Sequence, residues 1–299
     1  MKLMVYDVGG TEIKYSLMDE DLNVYDSGFT ETPMDSFEHF AQVIFDLYEP
    51  HKKECEGIAM SLPGFIDVKK GRCNGGGALF YNHGTDVGPL LSEKCGCKVV
   101  LENDGKAAAR AEYYKGSLKG CSNAAVFVIG TAVGGGLIIG GKVVKGRHFT
   151  AGEFSFLLTN ADAFDDFNSY MGTECSTRGL LNMYAQAKGL EEPISGRQFF
   201  ALLDEDPIAQ KVLDEFALKV AKQIYNLYWL LDLEKVAIGG GISRQPILID
   251  RINEQFEWLR VNSPVRKYLP TIEIEIVQAQ FGNEANQIGA FMTFTEESQ

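Results

Sequence analysis

A chain of 299 residues, 45% hydrophobic and 23% charged, has the composition of an ordinary globular protein, and its length suits two domains. Its formal net charge of −13 argues against general affinity for nucleic acid or an anionic membrane, although it leaves local phosphate binding by backbone N–H groups open. The N-terminus carries no basic segment followed by an apolar core, so we expect no signal peptide and a cytoplasmic location.

The first half of the chain is predicted to begin with strands around a glycine turn. Three segments have the apolar pattern of short strands: 2–6, 13–18 and 22–29. The first two flank Asp7-Val8-Gly9-Gly10-Thr11, and residues 36–53 then carry apolar side chains at helical spacing, with Ser36 as the predicted N-cap. A strand that ends in a turn at Pro63-Gly64 follows. This order is typical of an α/β domain.

The second half of the chain repeats this order of elements. The predicted elements are strands over 124–129 and 136–139 around a glycine turn, an amphipathic helix over 207–231 and a strand over 235–243 that ends in glycines. The uncharged stretch 124–141 reaches the lower length limit for a membrane helix, but consecutive glycines in its middle favour two strands. The repeat predicts two related α/β domains facing each other across a cleft, with a boundary near residues 114–121.

Between the two halves, residues 98–116 are predicted to form a strand that runs into a helix, with Asn103 and Asp104 at the junction. Strand ends in α/β sheets supply ligand contacts, so both residues are candidate site residues. Asp104 alternatively caps the helix that begins near Gly105. The cysteines lack the spacing of a metal site and the context of a disulfide framework, so we expect free thiols.

Glycine-rich turns follow apolar strands at four places: 9–10, 75–77, 134–136 and 239–241. Glycine allows backbone amides to approach a phosphate closely, although each turn taken alone is more simply a tight turn. The turns at Gly9-Gly10-Thr11 and at Gly130-Thr131 with 134–136 occupy equivalent positions in the two predicted domains, which favours a nucleotide between them. Neither has the Gly-Lys-Ser/Thr ending of a P-loop or the Gly-x-Gly-x-x-Gly pattern of dinucleotide-binding proteins.

Several segments together resemble the ROK family of bacterial sugar kinases and repressors. In chain order they are DVGGTEIKYSLMD, SLPGFID, LENDGKAAA, GTAVGGGLIIGG, AGEF, AIGGGIS and GNEANQIGAF. The resemblance implies the α/β actin-like ATPase (RNase H-like) fold, with two related α/β domains around a cleft. We expect a small domain at 1–117 and a large domain at 118–299, with a last helix at about 283–297 that packs back on the small domain.

The resemblance also implies roles for particular residues. Asp104 matches the general base that acts on the sugar hydroxyl, and the other residues assigned to sugar binding are Gly64, Asn103 and Glu153. Asp7 matches the acid that helps to place Mg²⁺-ATP, with an indirect link to the metal. The remaining residues assigned to ATP and phosphate binding are Gly9, Gly10, Thr11, Lys14, Gly130, Thr131, Gly134, Gly135, Gly240 and Gly241.

The chain departs from the family pattern in three places. Ala132 stands where a glycine is usual in the second phosphate turn. Phe156 stands where the family has a histidine, and Cys175 is the only cysteine in the region of the family's zinc motif. We therefore expect no structural zinc and an altered sugar site. Relatives without zinc include β-glucoside kinases, which phosphorylate disaccharides.

The resulting hypothesis is an ATP-dependent kinase that uses Mg²⁺ and phosphorylates a hydroxyl of glucose, a β-glucoside or another hexose-containing sugar. The alternatives are an N-acetylmannosamine kinase, a sugar-sensing ROK regulator and a plain carbohydrate-binding protein. Because six residues precede Asp7 and the net charge is acidic, a DNA-binding regulator is disfavoured. We expect a small-molecule sugar as partner, no nucleic acid or membrane, and a homodimer as an option; the sugar, its anomer and the hydroxyl stay open.

Overall fold

The computed structural model describes residues 1–268, 273–282 and 284–298. Its strands are β1 (Lys2–Val8), β2 (Glu12–Asp19), β3 (Val24–Glu31), β4 (Gly57–Leu62), β5 (Phe65–Asp67), β6 (Arg72–Gly75), β7 (Lys98–Asn103), β8 (Ala124–Ile129), β9 (Val133–Ile139), β10 (Lys142–Val143), β11 (Lys235–Gly239) and β12 (Glu275–Gln278). Its helices are α1 (Phe37–Tyr48), α2 (Val87–Cys95), α3 (Asp104–Tyr114), α4 (Met171–Glu174), α5 (Thr177–Lys188), α6 (Gly196–Ala201), α7 (Pro207–Leu231), α8 (Pro246–Asn262) and α9 (Ala285–Glu296).

Two five-stranded sheets of the same topology form the framework. The first has the order β3-β2-β1-β4-β7 and the second the order β10-β9-β8-β11-β12. In each sheet the first three strands pair antiparallel and the last three pair parallel. The repeat inferred from the sequence is therefore present in the strand order itself. Parallel strands leave their carboxyl ends at one edge of each sheet, where α/β proteins bind ligands.

The described residues divide into two compact units. Unit 1 contains Met1–Ala111, Lys145–Ala151 and 284–298, and unit 2 contains Glu112–Val144 and the described part of Gly152–Gly282. The division falls inside α3, and a short segment from the second half of the chain belongs to unit 1. The small domain predicted from the sequence spans residues 1–117. Unit 1 also includes two further stretches of chain, one of which carries α9.

The sequence explains where the helices begin. The Ser36 hydroxyl accepts a hydrogen bond from the backbone N–H of His39 at 3.2 Å, as predicted for the N-cap of α1. At α7, the Asp206 carboxylate accepts from the N–H of Ile208 at 2.9 Å, and Pro207 occupies the first turn, where its missing N–H costs nothing. The predicted helix over 207–231 is confirmed as α7. The predicted start of the last helix at 283 lies outside the described residues.

One sequence prediction was wrong in detail. The second glycine turn was expected around 134–136, with a strand from 136, but β9 already begins at Val133 and contains these glycines. The turn itself is formed by residues 130–132, where the N–H of Gly130 donates to the carbonyl of Ala132 at 2.9 Å. The uncharged stretch considered as a membrane span forms β8 and β9. Among the helices described by the structure, none is long and apolar enough to cross a bilayer.

Helix α9 completes the core of unit 1. Ala290, Phe291 and Phe294 are buried in the same cluster as the apolar residues of β1 and β4. Gly289 brings the helix backbone close to α3, because a Cβ built at this position would lie 1.8 Å from the carbonyl oxygen of Ala107. A side chain at 289 would push apart two backbones that have no room to yield.

We predict that Gly289→Ala lowers the free energy of unfolding by at least about 1–3 kcal/mol, because overpacking displaces α9 from the core. Gly196→Ala is the matched control, since a Cβ there would meet only a methyl group of Ile242 at 3.8 Å. The control is expected to change stability by less than about 1 kcal/mol, in the stabilising direction. Urea unfolding followed by circular dichroism measures both variants. Equal stability of the two would contradict the close approach.

Candidate active site

Asp7 lies near the end of β1 and is held by three neighbouring elements. It pairs across the antiparallel ladder with Lys14 and across the parallel ladder with Ser61. Its Oδ1 accepts a hydrogen bond from the side-chain amide of Asn286 at 2.9 Å. Burial raises the pKa of Asp7, and the hydrogen bond from Asn286 and the charge of Lys14 oppose this rise. Asn286 was not predicted from the sequence to be a site residue, although it lies in GNEANQIGAF, one of the segments that resemble the ROK family.

The turn after Asp7 contains Gly9 and Gly10 and is fixed by hydrogen bonds of the Gly9 backbone. The N–H of Gly9 donates to the carbonyl of Glu12 at 2.9 Å, and the Thr32 hydroxyl donates to the carbonyl of Gly9 at 2.8 Å. A Cβ built on Gly10 would lie 3.2 Å from the Cβ of Ala78. The loop that follows the glycines at 75–77 therefore comes close to this turn within unit 1. Such a glycine turn can hold a phosphate against its backbone amides.

Gly64, one of the residues predicted to bind sugar, contacts both the strand end at Gly75 and the side chain of Asn103. It has φ +103°, and a Cβ there would lie 1.8 Å from the carbonyl oxygen of Gly75, so only glycine fits. Its own carbonyl accepts a hydrogen bond from the side-chain amide of Asn103 at 2.9 Å. The structure thus brings Gly64 and Asn103 together, although 39 positions separate them in the sequence.

Asn103 and Asp104 lie where β7 passes into α3, and their side chains make different hydrogen bonds. The buried Asn103 accepts a hydrogen bond from the backbone N–H of Lys106 at 3.0 Å, which is the N-cap bond of α3. Asp104 is the first residue of the helix, and its Oδ1 accepts from the N–H of Gly105 at 2.7 Å and from the Asn103 amide at 3.0 Å. The capping role considered for Asp104 is therefore carried by Asn103. The Asp104 carboxylate is oriented by its neighbours and only half-buried.

The corresponding turn of unit 2 lies between β8 and β9. The N–H of Thr177 donates to the carbonyl of Gly130 at 2.9 Å, which docks the start of α5 onto this turn. Thr131 lies at its tip. Gly134 and Gly135 lie instead within β9, opposite Val128 and Phe127. Packing requires a glycine at position 135, because a Cβ there would lie 2.6 Å from the ring of Phe154.

Gly240 and Gly241 follow β11, the neighbour of β8. Gly240 has φ +93°, and a Cβ there would lie 2.2 Å from the carbonyl oxygen of Ile129. This close approach brings the turn after β11 against the end of β8. The predicted phosphate residues Gly130 and Thr131 are therefore neighbours of Gly240 and Gly241 in unit 2.

A cavity of about 640 Å³ opens beside these two turns, and we call it the glycine-turn cavity. It is lined by Gly130, Thr131, Thr177, Arg178, Leu181, Asn182, Pro193, Ile194, Gly241 and Ile242. Backbone, hydroxyl and guanidinium groups suit phosphates, and the apolar side chains suit a flat base. Arg178, Asn182, Pro193 and Ile194 were missed in the sequence, because no strand end or glycine pattern marks them.

Glu153 is placed against the sheet of unit 2 by the glycine before it. Gly152 has φ +78°, and a Cβ there would lie 2.9 Å from the Cα of Gly136 in β9. Glu153 is half-buried and precedes a short 3₁₀ turn at Phe154–Phe156. Phe154 points into the core against Phe127, whereas Phe156 is 65% exposed. The residue that stands in place of the family's histidine therefore faces outward.

Cys175 is poorly suited to bind a metal ion. It is fully buried, and this burial raises the pKa of its thiol to about 12. In residues 1–268, 273–282 and 284–298, no group of three or more His, Cys, Asp and Glu side chains could hold a metal ion. Metal binding at this position would require a thiolate that burial disfavours.

A family model described as the ROK family matches residues 4–297. The chain belongs to the ROK family. It is 29% identical to the β-glucoside kinase of Klebsiella pneumoniae, with 99% of this chain and 97% of that protein covered. It is 28% identical to the N-acetyl-D-glucosamine kinase of Vibrio atlanticus, with coverage of 95% and 97%. A ROK family structure from Streptococcus pneumoniae in complex with sucrose has a TM-score of 0.86 at 26% identity, and both chains are covered completely.

Membership of the ROK family confirms the predicted fold class, the actin-like ATPase fold of α/β type. The match spans the motifs of both units, from β1 to α9. In this ROK protein the residues assigned to sugar and nucleotide fall into two local groups. Unit 1 carries Asp7, the turn at 9–11, Gly64 and Asn103-Asp104, and unit 2 carries the two turns of the glycine-turn cavity and Glu153.

We predict that Asp7→Asn stabilises this ROK protein at neutral pH. Because its pKa is raised above the ordinary value of 3.8, the folded chain binds this proton more tightly than the unfolded chain. Protonation of Asp7 stabilises the folded chain fully at pH values below the ordinary pKa. This stabilisation is lost as the pH rises through the raised pKa of the folded chain. An asparagine keeps an oxygen that accepts from Asn286 but carries no charge.

The measurement is the free energy of unfolding by urea at several pH values between about 4 and 8. The advantage of Asp7→Asn over the wild type is expected to grow with pH and then to level off. Asp21→Asn, at an exposed acid of the β2–β3 turn, serves as control and should show no such growth. A variant that is less stable than the wild type at neutral pH would contradict the prediction.

Proposed function

We propose that this protein transfers the γ-phosphoryl group of ATP to a hydroxyl of glucose or a β-glucoside, with Asp104 as the general base. The class of reaction, ATP-dependent phosphorylation of a sugar, is that of the named kinases to which the chain is similar over nearly its whole length. The observation that supports Asp104 most directly is its position beside Asn103. Asn103 makes the N-cap bond of α3, and its side-chain amide donates to the Asp104 carboxylate at the end of β7.

In this mechanism the sugar hydroxyl lies against the Asp104 carboxylate. The carboxylate takes the proton as the hydroxyl oxygen forms a bond to the γ-phosphorus, and the bond from that phosphorus to the β-γ bridging oxygen breaks to release ADP. The Asn103 amide, which donates to Asp104 and to the Gly64 carbonyl, holds the carboxylate in one orientation. Glu153 is proposed to accept hydrogen bonds from other hydroxyls of the sugar.

Phosphate binding is assigned to backbone amides rather than to a lysine-bearing P-loop. We assign the turn at 9–11 in unit 1, and the turns at 130–131 and 240–241 in unit 2, to the phosphates. Lys14 pairs with Glu12 at 3.1 Å and lies opposite Asp7, so its charge reaches the same strand end. Gly134 and Gly135 lie in β9, where Gly135 admits the ring of Phe154. The backbone next to Glu153 is met by Gly136 of the same strand.

The divalent cation expected with ATP has a suitable partner in Asp7. A carboxylate is the hard oxygen ligand that Mg²⁺ prefers, directly or through water, and the side-chain amide of Asn286 orients it by a hydrogen bond. When bound with the nucleotide, Mg²⁺ neutralises charge on the transferring phosphoryl group.

An N-acetylhexosamine is the second candidate for the sugar, since one relative is named an N-acetyl-D-glucosamine kinase. Release of ADP in the presence of glucose, cellobiose, N-acetylglucosamine and N-acetylmannosamine separates these candidates. It also separates a kinase from a sugar sensor or a binding protein, which would bind sugar without producing ADP.

We predict that Asp104→Asn lowers turnover by roughly 10²–10⁴, the usual contribution of a general base. Stability should change by less than about 1 kcal/mol, because an asparagine oxygen still accepts from the N–H of Gly105. Affinity for ATP should stay within a factor of about two, since the phosphates contact the glycine turns. Turnover is measured by coupled ADP release and ATP affinity by calorimetry.

Asn103→Ala provides the contrast, because it removes the N-cap bond and is expected to cost about 0.5–2 kcal/mol of stability. Asp21→Asn controls for the loss of a negative charge elsewhere. An Asp104→Asn variant that phosphorylates sugar at close to the wild-type rate would show that the catalytic assignment is wrong.

We also predict that the purified protein holds no stoichiometric zinc. Elemental analysis after purification without an immobilised metal column should give far less than one zinc per chain, and a chelator should leave the melting temperature unchanged. One zinc per chain, lost together with folding on chelation, would contradict the prediction.

A further inference from the structure

The first turn of α3 contains a lysine that is almost completely buried. Lys106 is the third residue of the helix and is 1% exposed. Lysine is almost never buried to this extent unless its ammonium has polar or charged partners, because removing the charge from water is costly. The first turn of a helix is also an unfavourable place for a cation, since the helix dipole is positive there. Two effects thus disfavour a lysine at this position, and the contacts of its ammonium must explain its presence.

The ammonium of Lys106 lies beside the side chain of Asn103. Its Nζ is 3.5 Å from Asn103 Oδ1, and the backbone N–H of Lys106 donates to the same oxygen at 3.0 Å. At 3.5 Å the ammonium contact is an attraction between a charge and an amide dipole more than a strong hydrogen bond. A side-chain donor and a backbone donor of Lys106 thus converge on one oxygen of the Asn103 amide.

This arrangement determines which way the Asn103 amide faces. With its oxygen toward Lys106, its NH₂ group donates to Asp104 Oδ1 at 3.0 Å and to the Gly64 carbonyl at 2.9 Å. The flipped amide would turn its NH₂ group toward an ammonium and its oxygen toward a carboxylate and a carbonyl. Each of those contacts is repulsive, so the charge of Lys106 keeps the donating group of Asn103 on Asp104.

We propose that Lys106 is a positioning residue for phosphoryl transfer, which acts through Asn103 on the Asp104 carboxylate. The inference rests on the proposed function and adds to it a residue that need not touch the sugar. The ammonium orients the amide, the amide orients the carboxylate, and the carboxylate accepts the proton of the sugar hydroxyl. Misplacing a reacting group by about 1 Å can lower a rate by roughly 10²-fold, so this orientation contributes directly to turnover.

The charge of Lys106 also strengthens the contacts that follow from it. A cation at the amide oxygen draws electron density away from the amide nitrogen, which makes its N–H groups better donors. The chain of contacts runs in one direction, from the ammonium through the buried Asn103 to Asp104. An uncharged side chain at position 106 would leave the backbone N-cap bond in place but would lose this polarisation.

The backbone of Asn103 is held by separate contacts, so it does not depend on the side chain of Lys106. The N–H of Asn103 donates to Glu102 Oε1 at 3.1 Å, and Glu102 is paired with Arg110 of α3 at 3.6 Å. In the parallel ladder with β4, Asn103 lies opposite Leu62. Removing the charge of Lys106 is therefore expected to change the side-chain amide of Asn103 rather than the end of the strand.

The experiment measures kcat and both KM values of Lys106→Met, which keeps an unbranched side chain and removes the charge. The assay is coupled ADP release with one of the sugars compared above. We expect kcat to fall by roughly 10–100-fold and both KM values to change less than about threefold. Lys106→Gln, whose amide can still donate to Asn103, should lose less. Lys119→Met, at an exposed lysine outside the site, is the control and should keep the wild-type kcat.

A double-mutant cycle tests whether Lys106 acts through Asn103. In Asn103→Ala there is no amide to orient, so adding Lys106→Met should lower kcat by less than about twofold further. If Lys106→Met acted by distorting the fold, the two losses would multiply. Thermal melting followed by circular dichroism, with assays well below each melting temperature, ensures that kcat refers to folded protein.

Wild-type kcat in Lys106→Met, or independent losses in the cycle, would overturn the role of Lys106 and leave Asp104 as the base. If neither Lys106→Met nor Lys106→Gln folds, the lysine is a structural residue and the proposal is wrong. A wild type that releases no ADP with any sugar would instead overturn the proposed kinase activity, and the role of Lys106 with it.

Discussion

The proposed catalytic residues depend on a buried charge immediately before them in the sequence. Glu102 on β7 is completely buried, and leaving such a carboxylate unpaired would cost several kcal/mol, typically about 3–5. It is paired with Arg110 of α3 at 3.6 Å and with Lys145 at 3.3 Å, and the Thr293 hydroxyl of α9 donates to it at 3.3 Å. One carboxylate thus ties β7 to α3, to Lys145 and to α9 within unit 1, at the strand end from which Asn103 and Asp104 project.

A second constraint recurs in both units at equivalent strands. β4 and β11 occupy the same place in their sheets, and each is followed by a glycine of positive φ against a neighbouring carbonyl oxygen. A Cβ would lie 1.8 Å from that oxygen at Gly64 and 2.2 Å from it at Gly240. Both units thus have a glycine of positive φ after the equivalent strand, although it packs on β6 in unit 1 and on β8 in unit 2. In both units the backbone packs closely at this strand end.

The sequence predicted the elements whose pattern is local. The N-cap at Ser36, the helix over 207–231 and the strand over 124–129 were recognised because periodicity and capping depend on neighbouring residues. The second glycine turn was placed a few residues too late, because a glycine such as Gly135, which admits the Phe154 ring within a strand, looks the same in a sequence as a glycine that forms a turn. Asp104 was considered as the cap of α3, and only the hydrogen bond from the N–H of Lys106 showed that Asn103 is the N-cap.

The sequence by itself determined the family, the duplicated α/β order and most of the residues of the proposed site, because these are carried by short motifs at strand ends. Only the tertiary structure decided that Asn286 holds Asp7, that Arg178 lines the glycine-turn cavity, and that Lys106 is buried. Each of these depends on contacts between side chains and surfaces that no local pattern encodes. The free energy of such contacts arises from packing and desolvation, which exist only once the chain has folded.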